Sequence, residues 1–374
     1  MTELTHTETT AKGKRYPILD LVRFIAAMLV IFIHIFPEGS TTASIGLDSS
    51  VPMLLTESFV HAILRPATPI FFLISGFLLF QRINAEQSSG WKRVGHFCLR
   101  LLFLYLFWYV VALPLTVKDI VDFIGQGDTQ GLIHYFVITL WKGAPRGFWF
   151  LVSLALSVVI ANLFRGKKGI IALCVIAGVL YAYGCLNSAY FGIFTAKEDS
   201  FSKTIAFIGN YLELSYCVLE ALLFVTLGKF FALYGPKQIK GNIVFIVLAF
   251  LLMVGELFLT LFFGWHVYPD AYFSLPIFVC LLMNFLLNLH IESPSFARVA
   301  KKLKNVGSFS YLFHVQFFVY LHWIFDASGY NVFRVYIALL LVPYVICVLL
   351  SFGLQTAFES LSKYRPLRFL RYSY

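Results

Sequence analysis

The sequence predicts an all-α integral membrane protein with about ten transmembrane helices and with both termini in the cytoplasm. Of the 374 residues, 59% are hydrophobic and 13% are charged, and the mean hydropathy is +0.81. Soluble globular chains are about 45–50% apolar and about 25% charged. The apolar residues form ten long runs, and the connections between the runs are alternately rich and poor in Lys and Arg. These three observations point to a bundle of helices in lipid.

Each apolar run is judged by its length. A helix needs about 20 residues to cross a hydrocarbon layer about 30 Å thick, and it pairs its backbone polar groups within the segment. Ten runs qualify: Ile18–Phe36, Thr56–Phe80, His96–Leu115, Phe148–Phe164, Gly169–Leu186, Glu213–Leu233, Asn242–Phe263, Ala271–Leu289, Val306–Phe325 and Val332–Gln355. A further apolar stretch, Gly131–Trp141, is about half a span long, so we expect it to lie along or dip into the outer surface.

The basic residues test this count independently, because cytoplasmic loops of membrane proteins collect Lys and Arg. Most of them lie in the two tails and in the connections after the second, fourth, sixth and eighth runs. The other connections hold only Lys118, Lys142, Arg146, Lys197, Lys203 and Arg334. The alternation predicts a cytoplasmic tail over residues 1–17, a transmembrane domain over 18–355 and a basic cytoplasmic tail over 356–374, the last acting as an interfacial anchor.

The net charge and the cysteines argue against a nucleic-acid partner and against a metal site. A net charge of +10 is explained by this topology, so we expect the lipid bilayer and not a nucleic acid as the partner. The cysteines stand singly in apolar runs, with neither a CxxC pair nor a His at metal-ligand spacing. We expect them to be small core residues and predict no metal site. They are Cys98, Cys174, Cys185, Cys217, Cys280 and Cys347.

The first run contains three ionisable residues, Asp20, Arg23 and His34. An ionisable side chain at the centre of a membrane helix costs at least about 2.5–3.5 kcal/mol, which makes each a functional hypothesis. Arg23 and His34 are separated by eleven positions, which places them within about 20° of one helix face and about 16 Å apart. Asp20 lies on the same side and can pair with Arg23. The alternatives are that Arg23 snorkels to the headgroups and that His34 is solvated at the outer interface.

The second run contains Arg65, Pro66 and Pro69, followed by Ser75 and Gly76. Each proline leaves a carbonyl without its helical partner, and the two small residues allow a close helix contact. Arg65 is about nine residues from the predicted outer surface, a long distance to snorkel. The remaining intramembrane polar residues are Glu220, Glu256, Asn284, Asn288, His314 and His322. For the two glutamates, pairing with Arg65 or with each other is a structural alternative to a functional role.

Four motifs, in this order along the chain, resemble the signature of the membrane acyltransferase 3 family. They are the Arg-x10-His helix from Arg23 to His34, the stretch from Arg65 to Ser75-Gly76-Phe77, Phe148-Trp149-Phe150-Leu151, and Tyr311-Leu312-Phe313-His314. The resemblance covers nearly the whole chain. The third run departs from the family, because Arg100 is not one of a pair of arginines and the Tyr-Pro pair is lacking.

The first and third runs also resemble the membrane portion of vancomycin-resistance serine racemases, a subgroup of the same family. With 374 residues we expect no room for their pyridoxal-dependent domain, so racemisation is not predicted. The resemblance implies that an acyl group, acetyl by family default, passes from cytoplasmic acyl-coenzyme A to a hydroxyl of an envelope saccharide or of another acceptor. Acetyl-CoA would be a co-substrate, with no permanently bound cofactor, and the site would be the bacterial cytoplasmic membrane.

The hypothesis gives each site residue a role. His34 is the general base, because an imidazole titrates near neutral pH. Arg23 binds the coenzyme A phosphates, and Asp20 orients Arg23. Arg65 either stabilises the tetrahedral oxygen or holds the donor. The resemblance adds further donor-binding residues, for which packing is the alternative: Ser75, Trp149, Tyr311 and His314.

Two other classes of function are compatible with the same residues. A transporter or flippase for a polar envelope precursor also has buried charges around a pathway, although the two matched halves common in transporters are not seen in this sequence. A membrane sensor would bind a ligand without turnover. Acceptor specificity is expected in the outer connections Glu38–Leu54 and Asn187–Asn210, which contain no recognisable motif.

Overall fold

The computed structural model describes residues 16–34, 51–86, 89–143, 147–195, 197, 199–212, 217–265, 271–289, 291, 293–327 and 337–372. Several predictions therefore lie outside the described residues. These concern the tail up to residue 15, the end of the first run at 35–36, residues 38–50 of one outer connection, the starts of the sixth and tenth runs at 213–216 and 332–336, residues 373–374 of the C-terminal tail, and the side chain of His322.

All regular secondary structure in the described residues is helical. The α-helices are α1 (Pro17–Ile33), α2 (Val51–Leu64), α3 (Ala67–Ala85), α4 (Trp91–Gly125), α5 (Thr129–Lys142), α6 (Trp149–Leu163), α7 (Gly166–Leu186), α8 (Gly192–Thr195), α9 (Ser200–Leu212), α10 (Val218–Tyr234), α11 (Asn242–Phe262), α12 (Leu275–Asn288), α13 (Pro294–Ala327) and α14 (Ile337–Leu361). A 3-10 helix, Arg365–Tyr372, follows them.

The all-helical, membrane-protein character of the chain is confirmed. Among the described residues, five helical segments are long and apolar enough to cross a bilayer: Val51–Ala85, Trp91–Gly125, Gly166–Leu186, Asn242–Phe262 and Val342–Leu361. The apolar helices α6 and α12 are shorter. All ten predicted runs overlap a helix. The count of ten crossings and the cytoplasmic position of both ends stay predictions.

The second run forms two helices, α2 and α3, which meet at Arg65 and Pro66. The Arg65 N–H donates to His61 O at 2.8 Å and closes α2, while the Ile70 N–H donates to Pro66 O at 3.0 Å in the new helix. Pro66 and Pro69 have no N–H to continue the hydrogen bonds of α2. The break therefore follows from the two prolines, and it places Arg65 at the junction of the helices.

The helices α4 and α13 extend beyond the runs that predict them, with 35 and 34 residues. Helices of this length measure about 50 Å, more than the hydrocarbon thickness of about 30 Å. Lys304, which precedes the predicted run Val306–Phe325, consequently lies inside α13. Lys and Arg are good helix formers, so a charge at the edge of an apolar run does not end the helix.

The closest helix pair in the core is α3 with α10. A Cβ on Gly76 would lie 2.6 Å from Val225 O, and a Cβ on Gly228 would collide with the backbone at Leu73. The close contact expected at Gly76 is present, with α10 as its partner. Around this pair, α6 and α7 pack on α10, and α1 packs between α3 and α13.

Glu256 stabilises the start of α12. Its carboxylate accepts hydrogen bonds from the Phe273 N–H at 2.8 Å, from the Ser274 N–H at 2.8 Å and from the Ser274 hydroxyl. The Tyr190 hydroxyl donates to the same carboxylate at 2.7 Å. Carboxylates at a helix N-terminus satisfy unpaired N–H groups and oppose the helix dipole. This residue therefore has a structural role in joining α11, α12 and the connection after α7.

Candidate active site

A cavity of about 140 Å³ lies between five helices, α1, α3, α4, α6 and α13. Its polar lining consists of three cations and a small set of hydroxyl and amide groups, and its remaining walls are apolar. The lining residues are Arg23, Phe71, Ser75, Phe97, Arg100, Leu101, Leu104, Phe150, Leu151, Leu154, Lys304, Asn305, Ser308, Tyr311 and Leu312. Each of the four sequence motifs contributes at least one helix to this wall.

The three cations come from the parts of their helices predicted to be nearest the cytoplasm. Arg23 is in the second turn of α1, Arg100 in the third turn of α4, and Lys304 in the third turn of α13. The Nε atom of Arg23 is buried and has no hydrogen-bond partner among the described residues. A cluster of cations beside apolar walls suits a ligand with phosphate groups at one end and an apolar arm.

Asp20 is the carboxylate beside this cluster. Its Oδ1 lies 4.0 Å from Lys304 Nζ, and both side chains are about one quarter exposed, 29% and 25%. The sequence suggested Arg23 as the partner of Asp20, whereas the described ion pair is with Lys304. The carboxylate therefore connects α1 to α13 across the edge of the cavity.

Aromatic side chains lead from the cavity toward His34. The Tyr311 ring lies 5.3 Å from Phe71 and 5.1 Å from Phe150, measured between centroids. It is 5.8 Å from the His314 ring, which in turn is 5.0 Å from the His34 ring. The fold thus brings together two histidines far apart in sequence. Because Arg23 lines the cavity and His34 meets α13, both residues of α1 face the same neighbouring helices.

His314 is 1% exposed, whereas His34, at the C-terminus of α1, is exposed. The Nδ1 atom of His314 lies 3.2 Å from Ser310 O. Its Nε2 atom is buried and has no hydrogen-bond partner among the described residues. The buried imidazole therefore has one nitrogen engaged by its own helix and one nitrogen available to a ligand or a neighbour.

Two other expected site residues do not line this cavity in the part of the chain that the structure describes. Trp149 is half-buried at the start of α6, with its ring centroid 5.9 Å from that of Phe72. Arg65 is 5% exposed at the junction of α2 and α3. It precedes the cavity residue Phe71 by six positions on the predicted outer side.

The sequence reasoning missed a polar face on α2. Glu57 and His61 are 2% and 1% exposed, and the His61 Nε2 lies 3.7 Å from Glu57 Oε1. With Arg65 they form an i, i+4, i+8 stripe, so all three lie on one side of the helix. Phe59 and Ile63 are exposed instead. The signal available in the sequence was the spacing itself, because ionisable side chains within an apolar run are expected to face the interior of the helix bundle.

Arg100 and Lys304 were also missed as site residues. Arg100 falls inside the predicted run His96–Leu115, and an arginine within a transmembrane run was the sequence signal that could have identified it as a site residue. Lys304 precedes its predicted run by two residues and gave no such signal. For metals, no group of three or more His, Cys, Asp or Glu side chains within the described ranges is arranged to hold an ion.

Comparison with known proteins gives a family match over most of the chain. Residues 16–352 match the family model described as an acyltransferase domain. Two curated proteins from Enterococcus faecalis, both named amino-acid racemase, are 22% identical over 276 residues and 24% identical over 282 residues. The alignments cover 72% and 74% of this chain, but 37% and 36% of the relatives, so the chain spans about a third of their length. No solved structure matches.

Proposed function

Because the chain belongs to this acyltransferase family, we propose that it transfers an acyl group, acetyl by family default, from acyl-coenzyme A to a hydroxyl of a cell-envelope saccharide. The single observation that carries the proposal is the cavity itself. Four separate motifs border it or adjoin it, with three cations at one end and a pair of histidines beyond the other. The proposed location is the cytoplasmic membrane.

Donor binding is assigned to Arg23, Arg100 and Lys304. Guanidinium groups form paired hydrogen bonds with phosphate oxygens, and an ammonium adds a compact positive charge. The apolar walls at Phe71 and Phe150 suit the pantetheine arm. Along α1, Arg23 and His34 are about 16 Å apart, a distance comparable with the length of that arm. The nucleotide therefore stays among the cations while the thioester reaches the histidines.

The chemical step assigned to His34 is general base catalysis. Its imidazole takes the proton of the acceptor hydroxyl as the oxygen attacks the thioester carbon and forms the new C–O bond. The tetrahedral intermediate then collapses, the C–S bond breaks, and the thiolate leaves with the proton that His34 held. Arg65 is the proposed cation for the tetrahedral oxygen, and binding the donor is the second role open to it.

The acceptor is proposed to approach along α2. Glu57, Ser58 and His61 are buried on the predicted outer side of Arg65. His61 and Glu57 are four and eight residues from Arg65, or about 6 and 12 Å along a helix. A carboxylate, a hydroxyl and an imidazole together donate and accept hydrogen bonds, as recognition of sugar hydroxyls requires.

The test uses purified protein in lipid vesicles with acetyl-labelled acetyl-CoA, and membranes from cells that express the chain supply the acceptor. We expect release of free thiol and label on envelope saccharide. His34→Ala should lower the rate by about 10²–10⁴-fold, the usual contribution of a general base. His96→Ala, which removes an exposed histidine from α4, is the matched control and should be active.

Two outcomes would overturn the proposal. If wild-type protein released no thiol, transport or sensing would replace acyl transfer as the function. If His34→Ala transferred acetyl at the normal rate, the base would have to be another group.

A further inference from the structure

The buried nitrogen of His314 carries an inference that rests on the proposed acyl transfer. A carbonyl oxygen only accepts hydrogen bonds, so the contact of Nδ1 with Ser310 O assigns the proton to Nδ1. Nε2 then has a lone pair and no proton. An acceptor atom that is buried without a partner is costly in free energy, and here it lies beside the proposed path of the substrate.

The neighbour that can supply the missing donor is His34. A linear N–H···N hydrogen bond of about 3 Å separates the centres of two imidazole rings by about 5 Å, and the observed separation is 5.0 Å. The rings are tilted by 39°. His34 is exposed at the end of α1, and the two helices are held close where Gly307 faces the Phe24 backbone. The observed ring separation therefore matches that of a hydrogen-bonded pair of imidazoles.

We propose that His314 is a positioning residue for the base. Its Nε2 accepts the ring N–H of His34, which selects one tautomer of His34 and leaves the other nitrogen with a lone pair for the acceptor hydroxyl. Partners that fix a histidine in this way are a general feature of base catalysis. The transferred proton moves from the hydroxyl to His34 and then to the thiolate, while His314 keeps its single proton throughout.

Three substitutions distinguish this positioning role from a proton-transfer role and from a packing role. In His314→Gln the amide oxygen reaches about as far as Nε2 and can accept the same hydrogen bond. In His314→Asn the shorter side chain reaches only the position of Nδ1. His314→Leu keeps much of the volume and removes the acceptor.

The measurement is kcat and the KM for acetyl-CoA, by thiol release in vesicles. We expect His314→Gln to keep kcat within about threefold, and the Asn and Leu variants to lower kcat by about 10–100-fold, as loss of an orienting partner commonly does. The KM should not change. A Gln variant as inactive as Leu would make His314 a proton-transfer group and overturn the positioning role. If the Leu variant were active, His314 would have only a packing role, and the proposal would also be overturned.

A second measurement does not depend on how the variants fold. Nitrogen NMR of wild-type protein with 15N-labelled histidine should show His314 protonated at Nδ1, with Nε2 as a hydrogen-bonded acceptor. A proton on Nε2 would contradict the proposal. Failure of the proposed acyl transfer and failure of the role of His314 give different results. If the acyl transfer proposal is wrong, wild-type protein releases no thiol. If wild-type protein is active and the Gln variant is inactive, only the role of His314 is rejected.

Discussion

At the scale of single residues, the cavity depends on charges that a membrane protein normally avoids. Arg23, Arg100 and Lys304 are three cations around one small space, and Asp20 is the neighbouring carboxylate. Like charges held together repel one another, and an anion that binds between them offsets this electrostatic repulsion. The cluster therefore favours a phosphate-bearing ligand over a neutral one.

Removal of single cations tests this assignment. We expect Arg100→Gln and Lys304→Gln each to raise the KM for acetyl-CoA roughly tenfold, equivalent to about 1.4 kcal/mol, the scale of one charge-assisted hydrogen bond. The kcat should change little, because these residues do not touch the reacting carbon. The measurement is initial-rate thiol release over a range of acetyl-CoA concentrations.

Lys301→Gln is the control for that experiment, because Lys301 is an exposed cation one turn before Lys304 that does not line the cavity. Its KM should match that of the wild type. An equal rise in KM for all three variants would show that general surface charge, and not the cavity, attracts the donor.

At the scale of elements, the cavity is positioned by helices that approach unusually closely. α3 presents Ser75 to the cavity and the adjacent Gly76 to α10, so one helix serves the site and the core at the same time. Gly228 of α10 faces the α3 backbone at Leu73. Small residues at such contacts let membrane helices pack by van der Waals contact, since apolar burial does not drive association in lipid.

Enlargement of this contact should destabilise the protein. We expect Gly228→Ala to lower the free energy of unfolding by about 1–3 kcal/mol, the usual cost of overpacking, because the added methyl group meets backbone that cannot rotate away. Thermal unfolding of detergent-solubilised protein gives the measurement.

Gly255→Ala in α11 is the matched control. A Cβ there would have no heavy atom within 4 Å, and alanine is favoured over glycine in a helix by about 0.5–1 kcal/mol. The control should unfold at the same or a higher temperature than the wild type. If both variants behaved alike, close packing at Gly228 would not be limiting.

At the scale of the whole molecule, the proposed mechanism requires that the cation cluster and the histidine pair face opposite sides of the membrane. Arg23 and His34 lie near opposite ends of α1. The basic connections predict that the Arg23 end lies in the cytoplasm, where the proposed acyl-coenzyme A donor would be available. The predicted topology is therefore a requirement of the proposed mechanism, which makes it worth a direct test.

Cysteine labelling tests the topology. After replacement of the six native cysteines, we expect an impermeant maleimide added to intact cells to label Ser200→Cys. It should label Lys168→Cys and Lys240→Cys only after permeabilisation, because these exposed positions lie in predicted cytoplasmic connections. Labelling of Lys168→Cys or Lys240→Cys in intact cells would reverse the orientation and remove the cytoplasmic donor site.

The sequence by itself determined what depends on local chemistry. Hydropathy indicated the membrane class and a helix at each of the ten runs, because crossing lipid requires a long, internally hydrogen-bonded apolar segment. The helical period placed Arg23 and His34 on one face. The motifs identified the family, and the match over residues 16–352 confirms it.

Only the tertiary structure decided which helices are neighbours. The cavity joins Arg23 to Arg100 and Lys304, and the contact between His34 and His314 joins α1 to α13. Such contacts depend on how side chains of distant segments fit together, and neither hydropathy nor spacing within one helix contains that information. For this reason the placement of Arg100 and Lys304 beside Arg23, and of His314 beside His34, became visible only once the helices were packed.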